Sequence, residues 1–217
     1  MQHDWRIEAR EYERHDSRRG RRHAFETLDP ARTALAVIDM VPFFVEANPY
    51  TAGIVPNITR LAGSLRGAGG TVAWVVPSTA APSPARVEFL GSEIAERYRV
   101  SGGGGAPRDR LWHELTPHRS DLVVEKRAAS PFFVGASPLH EMLQSRAIDT
   151  IIVAGTVANV CCESTVRDAA GLGYRTIMVA DANSAMRDED LNATLHTVYR
   201  SFGDVRPTAE LVDLIER

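Results

Sequence analysis

The sequence predicts an α/β fold, a three-layer sandwich in which helices cover both faces of a parallel sheet. Short, almost continuous apolar segments alternate with longer amphipathic ones along the 217 residues. Such continuous apolar segments are typical of parallel strands that are buried on both faces. Apolar residues make up 44% of the chain and charged residues 24%, so the chain has enough apolar surface to form one sizeable domain.

Six segments are predicted to be strands. The first five are almost entirely apolar, and some of them end at a polar residue. The sixth is shorter and less apolar. In chain order, the predicted strands are residues 33–40, 71–76, 121–125, 150–155, 175–180 and 201–205.

Helices are predicted between the strands, because apolar residues recur there at helical spacing and glycines follow as stop signals. In the first helix the recurring residues are Ile54, Ile58, Leu61 and Leu65. Strands and helices that alternate along the whole chain predict a parallel sheet with right-handed crossover connections. The predicted helices are residues 54–67, 138–146, 159–172, 188–200 and 208–216.

Two segments depart from this alternation. Residues 1–30 are a polar, arginine-rich N-terminal arm, and residues 31–217 are predicted to form a single domain. Within that domain, residues 77–108 contain four prolines and the glycine run 102–105. We expect an irregular insertion there, with a short helix near residues 93–99 and a surface loop at the glycines. A long insertion after a strand often shapes or covers a site.

The arginines of the arm are Arg18, Arg19, Arg21 and Arg22. Such a cluster could bind nucleic acid or an acidic partner. The net charge of −3 and the absence of interleaved aromatic residues argue against nucleic acid. We therefore expect the arm to lie over the protein's own surface or over a neighbouring subunit.

The sequence predicts neither a membrane anchor nor a disulfide framework. It has no run of about 18 apolar residues, the length that a transmembrane helix needs. The first residues are too polar for a secretory signal. The two cysteines, Cys161 and Cys162, are adjacent, whereas a disulfide framework requires cysteines that are spread along the chain. We expect a cytoplasmic protein with no membrane partner.

Residues capable of catalysis lie at the ends of three predicted strands. Asp39 closes the first strand, Lys126 follows the third, and Cys161 and Cys162 follow the fourth at the start of a helix. Ligands of open α/β sheets bind beyond the carboxyl ends of the strands. A helix N-terminus stabilises a thiolate, a carboxylate can accept the thiol proton and an ammonium can hold the resulting charges. Lys126 is also the only lysine in the chain.

Each of these residues also has a purely structural interpretation. Asp39 could cap the turn that follows its strand. Cysteine is among the most buried residue types, so both Cys161 and Cys162 could belong to the core. A single lysine could be a chance result in a chain that is rich in arginine.

Three motifs resemble those of the isochorismatase-like cysteine hydrolases, a superfamily that includes nicotinamidases, N-carbamoylsarcosine amidohydrolase and ureidoacrylate amidohydrolases. GTVANVCCESTVRDA at residues 155–169 is similar to the family's nucleophile segment. VIDM at 37–40 and VEKRAASPFF at 124–133 are similar to the segments that carry its acid and its lysine. The motifs occur in the family's order, and the resemblance spans roughly residues 30–217.

This resemblance implies a six-stranded sheet of order 3-2-1-4-5-6, which brings the first and fourth strands together. It also implies that Asp39, Lys126 and Cys161 are the catalytic residues, with Cys161 as the nucleophile. The position of Lys126 in the family's lysine segment then explains why the chain keeps one lysine.

The resemblance also implies the structure of the turn before the nucleophile. The peptide bond between Thr156 and Val157 is expected to be cis. The N–H groups of Val157 and Cys161 are expected to form an oxyanion hole. Cys162 is expected to pack beneath the helix.

Several departures from the family narrow the assignment. Nicotinamidases have an Asp and histidines for a metal after the first and second strands, whereas this chain has VPFFV at 41–45 and PSTA at 77–80. We therefore expect no metal, no cofactor and no nicotinamidase activity. True isochorismatases lack the nucleophile, so Cys161 argues against vinyl-ether hydrolysis. Val41 replaces a glutamine that is frequent in the family, which leaves the substrate open.

The resemblance predicts a metal-independent cysteine amidohydrolase that cleaves a C–N bond of a small amide, ureido or carbamoyl compound through a thioester. Phe44, Phe132 and Asn159 are expected to contact that substrate. The family also implies a homo-oligomer, either a dimer or a tetramer. The alternatives are a lactam hydrolase of the streptothricin-hydrolase type, an isochorismatase-type vinyl-ether hydrolase, and a non-catalytic scaffold of the same fold.

Overall fold

A six-stranded sheet lies at the centre of the computed structural model, which describes all residues from 1 to 217. The strands are β1 (Thr33–Ile38), β2 (Thr71–Pro77), β3 (Leu122–Lys126), β4 (Thr150–Thr156), β5 (Arg175–Ser184) and β6 (Asp204–Arg206). All neighbouring strands are parallel, in the spatial order β3-β2-β1-β4-β5-β6. The predicted fold class and strand order are confirmed.

Helices cover both faces of this sheet. They are α1 (Ala9–Arg19), α2 (Pro42–Ala47), α3 (Pro49–Gly53), α4 (Val55–Gly67), α5 (Pro84–Leu90), α6 (Ser92–Arg99), α7 (Leu139–Gln144), α8 (Glu163–Gly171), α9 (Asp188–Ser201) and α10 (Thr208–Ile215). The apolar faces of α4 and α10 pack on one side of the sheet, and those of α7, α8 and α9 pack on the other. The molecule therefore has the three layers that the sequence predicts.

The apolar character of the first strand follows from its burial on both faces. Leu35 and Val37 of β1 join the core under α4 and α10, whereas Ala34, Ala36 and Ile38 join the core under α7, α8 and α9. Each of these cores contains 25 buried apolar residues. A charged side chain within β1 would lose its hydration on either face, and this explains why polar residues begin only after the strand.

The fifth strand is longer than the sequence predicts and continues to Ser184. Its pairing with β4 is interrupted between Val153 and Gly155, where β5 contains extra residues. The amide nitrogen of Asn183 donates to the carbonyls of Val153 at 2.9 Å and Val179 at 2.7 Å. This side chain satisfies backbone groups that the irregular register leaves without ladder partners.

The insertion after β2 is more regular than predicted. It contains the expected helix near 93–99 as α6, a second helix α5, and 3₁₀ turns at Val100–Gly102 and Pro107–Arg110. The glycine run is not entirely a surface loop, because Gly102 is buried. A Cβ atom at this position would lie 2.5 Å from the carbonyl oxygen of Pro77. Glycine there lets the insertion return close to the end of β2.

The N-terminal arm lies along helix α9 and contains the helix α1, which the sequence analysis did not predict. Glu11 accepts a hydrogen bond of 3.4 Å from Arg200, and His15 Nε2 lies 3.0 Å from the carbonyl oxygen of Tyr199. Tyr12 is the one large apolar side chain of α1 that packs against the core. Because the other contacts are polar, α1 lacks the apolar periodicity that would reveal a docked helix in the sequence.

The arginines of the arm also bind the protein's own surface. The guanidinium of Arg22 lies 4.0 Å from the centre of the Tyr12 ring, and Arg19 lies 3.6 Å from the carboxylate of Asp204. Asp204 also accepts 2.8 Å hydrogen bonds from the N–H groups of Ala24 and Phe25. Of the two placements expected for the arm, the structure shows the one over its own domain. No helix in the structure has both the length and the apolar character needed to cross a membrane.

Candidate active site

Three reactive side chains meet at the carboxyl edge of the sheet. Asp39 directly follows β1, Lys126 is the last residue of β3, and Cys161 lies in the turn after β4. Strands β1 and β4 are neighbours, while β2 separates β1 from β3. The long side chain of Lys126 bridges that separation. The strand order thus brings together three residues that are far apart in the sequence.

Lys126 is the centre of the cluster. Its Nζ lies 2.9 Å from Asp39 Oδ2, 3.4 Å from Cys161 Sγ and 3.2 Å from the carbonyl oxygen of Ala128. An ammonium group has three N–H donors and no acceptor. All three donors therefore have a partner, and this fixes the group between the carboxylate and the thiol.

Asp39 has an unusual backbone conformation and an incompletely bonded side chain. Its φ of 55° lies in the left-handed region, which costs energy for a residue other than glycine and is least unfavourable for Asn and Asp. Its N–H donates to the carbonyl of Val75 at 2.8 Å. The residue is 1% exposed, yet Oδ1 has no hydrogen-bond partner. A buried carboxylate oxygen without a donor is available to accept a proton or a substrate N–H.

The nucleophile segment begins with a single π-helical turn. The sequence predicts one continuous helix from 159, but the structure has a π-helix at Ala158–Cys162 followed by α8. Cys162 N–H donates to the carbonyl of Val157 at 3.3 Å, the i to i+5 spacing of a π turn. Thr165 Oγ1 donates to the carbonyl of Cys161 at 2.6 Å and joins the turn to α8. Such turns frequently occur at functional sites.

The turn before the nucleophile has two further features. The Thr156–Val157 peptide bond is cis. The N–H of Val157 has no hydrogen-bond partner within the protein. A free N–H close to the thiol can donate to an oxyanion.

A buried glycine brings the ends of β1 and β4 together. Gly155 has a φ of 124°, and a Cβ atom there would lie 2.2 Å from the carbonyl oxygen of Ile38. Any side chain at this position would therefore separate the strand that carries Asp39 from the strand that leads to Cys161. A glycine inside a predicted strand is a sequence signal for such an approach.

The charges of the cluster affect one another strongly. Burial raises the pKa of Asp39, and the Lys126 ammonium opposes this effect. Burial would lower the pKa of Lys126, but Asp39 and Cys161 outweigh it and raise the value. Burial and the Asp39 carboxylate raise the pKa of the Cys161 thiol from 9.0 to about 12. These shifts favour a charged ammonium and a protonated thiol in the absence of substrate.

The other residues singled out from the sequence lie in different surroundings. Cys162 is fully buried in the core beneath the helix. Phe44 is half-buried, and its ring packs edge-on against Phe43 with 4.9 Å between the ring centres. Asn159 is exposed in the π turn.

Phe132 packs in the apolar core. Its expected contact with substrate stays a prediction. The residue is 6% exposed, and its ring centre lies 5.6 Å from that of Tyr174 and 6.4 Å from that of His140. These partners hold the loop after β3 against α7. A packing role for Phe132 accounts for this placement.

The third partner of Lys126 was not identifiable from the sequence, which predicts no metal site. The structure contains no group of three or more His, Cys, Asp or Glu side chains that could hold a metal ion. The third partner is the carbonyl of Ala128, a backbone group that carries no signal in residue type.

Comparisons with known proteins agree with this architecture. The isochorismatase domain model matches residues 33–210. A cysteine hydrolase from Pseudomonas syringae pv. phaseolicola has a similar structure, with a TM-score of 0.78, 31% identity, and coverage of 89% of this chain and 97% of that chain. N-carbamoylsarcosine amidase from Thermoplasma acidophilum gives a TM-score of 0.67 at 28% identity, covering 82% of this chain and 96% of that chain.

A curated relative shows the same similarity in sequence. The ureidoacrylate amidohydrolase RutB of Cronobacter sakazakii is 30% identical over 214 residues, which cover 87% of this chain and 90% of the relative. The domain match and these similarities extend over most of the chain. This chain therefore belongs to the isochorismatase family of hydrolases.

Proposed function

We propose that this hydrolase is a cysteine amidohydrolase that cleaves a C–N bond of a small ureido, carbamoyl or amide compound. The observation that carries the proposal is the position of Lys126 Nζ, 2.9 Å from Asp39 Oδ2 and 3.4 Å from Cys161 Sγ. Two similar proteins are named ureidoacrylate amidohydrolase and N-carbamoylsarcosine amidase. Both names support a ureido or carbamoyl substrate.

The first half of the reaction forms a thioester. Cys161 Sγ attacks the substrate carbonyl carbon, and the thiol proton passes to the Asp39 carboxylate. The N–H groups of Val157 and Cys161 donate to the resulting oxyanion. The C–N bond then breaks as Asp39 returns the proton to the leaving nitrogen. Ammonia or an amine departs, and the acyl group remains bonded to sulfur.

The second half releases the acid. A water molecule attacks the thioester carbon and gives one proton to Asp39. The C–S bond breaks, and Asp39 returns that proton to the sulfur. The ammonium of Lys126 keeps its charge throughout and stabilises the carboxylate and the departing thiolate. The raised pKa of the Cys161 thiol is consistent with transfer of its proton during the attack.

The test is a hydrolysis screen run in parallel with Cys161→Ala. Ammonia release reports turnover of ureas, N-carbamoyl amino acids and primary amides, and mass spectrometry of the ring-opened amino acid reports turnover of lactams, which release no ammonia. We expect turnover of at least one ureido or carbamoyl compound and its loss in the variant by about a millionfold. A Cys161→Ser variant, which retains a weaker nucleophile, is the matched control. Full turnover by Cys161→Ala would contradict the mechanism, and turnover of lactams alone would contradict the substrate class.

A further inference from the structure

The first three residues of the chain form an unusual set of contacts with helix α3. The Met1 ammonium donates to the carbonyl of Pro49 at 3.1 Å, and Gln2 Nε2 donates to the carbonyl of Gly53 at 3.1 Å. A Cβ atom at Gly53 would lie 1.7 Å from the carbonyl oxygen of Met1. Only glycine allows this approach, so α3 is shaped to receive the N-terminal residues.

His3 joins three separate elements. Its ring stacks on Tyr50 of α3, with 3.7 Å between ring centres and 7° between planes. Its Nδ1 lies 2.6 Å from Asp188 Oδ1 at the start of α9. Its Nε2 accepts a 3.1 Å hydrogen bond from the N–H of Ala185, which follows β5. The Ala185 N–H requires an unprotonated Nε2, so Nδ1 carries the proton and donates to Asp188.

These elements are linked to the turn that precedes the nucleophile. Next to His3, Asn48 Nδ2 donates to the carbonyl of Ala185 at 2.8 Å. The hydroxyls of Thr51 and Ser184 are 2.8 Å apart. Ser184 pairs in the sheet with Thr156, whose hydroxyl lies 3.5 Å from the Ser184 carbonyl. Thr156 directly precedes Val157, the free N–H donor of the proposed oxyanion hole.

We propose that His3 is a positioning residue for the active site, held by an N-terminal clasp of residues 1–3. The clasp fixes α3 against the end of β5, and this packing holds the Thr156–Val157 turn in place. The proposal rests on the proposed function, because the turn matters only if Val157 stabilises an oxyanion. Residues 1–3 lie outside the isochorismatase domain match, which begins at residue 33.

Turnover should depend on how firmly the Thr156–Val157 turn is held. An oxyanion donor acts only when it lies at hydrogen-bond distance from the developing charge. Displacement of a catalytic group by about 1 Å can lower turnover by about a hundredfold, even when the substitution is remote. His3 does not touch the reacting atoms, so its removal should change kcat more than KM.

The test compares His3→Ala with His15→Ala in the same arm. Both histidines are largely covered and both bond to backbone groups, but His15 lies at the opposite end of α9, next to Tyr199. We expect His3→Ala to lower kcat by about tenfold to a hundredfold with little change in KM. His15→Ala should retain the wild-type kcat at temperatures where both variants are folded. His3→Gln, whose amide can still accept from the Ala185 N–H, should recover most of the lost rate.

A second measurement needs no substrate. Iodoacetamide alkylation of Cys161 reports on the surroundings of the thiol, and we expect it to be severalfold faster in His3→Ala but unchanged in His15→Ala. The proposal would be overturned if His3→Ala kept both the wild-type kcat and the wild-type rate of Cys161 alkylation. It would also be overturned if His3→Ala and His15→Ala lowered kcat equally. Full turnover by Cys161→Ala in the same assays would instead overturn the proposed function, so the two failures are distinguishable.

Discussion

Two buried carboxylates lie at opposite edges of the same sheet and have opposite surroundings. Asp121 precedes β3 at the amino edge, where Arg66 Nε and Nη2 both donate to it at 2.9 Å. Trp74 Nε1 and the His118 N–H each donate to it at 2.8 Å. Asp39, at the carboxyl edge, has one ammonium partner and one oxygen without a partner.

The two environments shift the two acids in opposite directions. Burial would raise the pKa of Asp121, but hydrogen bonds from Arg66, Trp74 and His118 outweigh it and hold the value below 3.8. Burial raises the pKa of Asp39, and a single ammonium does not reverse this. A carboxylate whose oxygens are fully bonded stays charged and stabilises the fold. A carboxylate with a free oxygen can exchange protons, which is what the proposed base must do.

The largest expected difference between the two acids is in turnover. We expect Asp39→Asn to lower kcat by about 10⁴-fold, since the amide cannot accept the thiol proton. Asp121→Asn should keep kcat within about twofold of wild type, because Asp121 touches no reactive group. Steady-state rates on the best substrate of the screen measure both effects. Comparable losses in the two variants would break the distinction between a reactive and a structural acid.

The second expected effect is on stability, where the substitution of Asp121 should have the larger effect and that of Asp39 the smaller one. Asp121→Asn removes the charge that pairs with Arg66 in a largely buried site, and we expect it to cost about 3–5 kcal/mol of unfolding free energy. Asp39→Asn leaves the buried Lys126 ammonium without its carboxylate, but we expect a smaller cost, because Lys126 keeps the Ala128 carbonyl as a partner and Asn tolerates the left-handed backbone at this position. Urea unfolding of both variants measures the difference. A larger loss in Asp39→Asn would show that the reactive acid is also the main structural one.

The third prediction concerns the pH dependence of that stability. The pKa of Asp121 is lower in the folded protein than in the unfolded chain, so the folded protein binds fewer protons there. Its contribution is then fully present above the unfolded value, about 3.9, and is lost as the pH falls through the folded value. Wild type and Asp121→Asn should differ by a constant amount from pH 5 to 7 and converge below about pH 4. A difference that widens on acidification would contradict this assignment.

The smallest expected effect is on the pKa of the Cys161 thiol and its rate of alkylation. The Asp39 carboxylate helps to raise the pKa of Cys161, so Asp39→Asn should lower that pKa even though it abolishes turnover. Iodoacetamide should therefore alkylate Cys161 severalfold faster in the variant than in wild type at pH 8. Asp121→Asn should leave the rate unchanged. Slower alkylation in Asp39→Asn would indicate that the carboxylate activates the resting thiol.

The sequence was sufficient to predict those parts of the structure that are determined by burial or by the position of a motif. The apolar segments predict the first five strands, which helices cover on both faces. The sixth, predicted at 201–205 from a less apolar segment, is shifted to Asp204–Arg206, because α9 continues to Ser201. Asp39, Lys126 and Cys161 were singled out because catalytic groups in parallel sheets follow strand ends, and the structure places them together.

The parts that could not be predicted depend on contacts between distant or backbone groups. Residue patterns did not predict α1, since it docks through ion pairs, hydrogen bonds and the single aromatic residue Tyr12 rather than through a periodic apolar face. The π turn at Ala158–Cys162 differs from an α-helix only in its hydrogen bonding. Asp121 is held by Arg66, which is 55 positions away, and no spacing rule connects them.

The burial of Lys126 has a practical consequence for following the state of the protein. It is the only lysine and is 6% exposed, so the folded chain shields its one side-chain amine from amine-reactive reagents. Unfolding exposes that amine. A label on Lys126, located by peptide mass, therefore counts unfolded molecules directly.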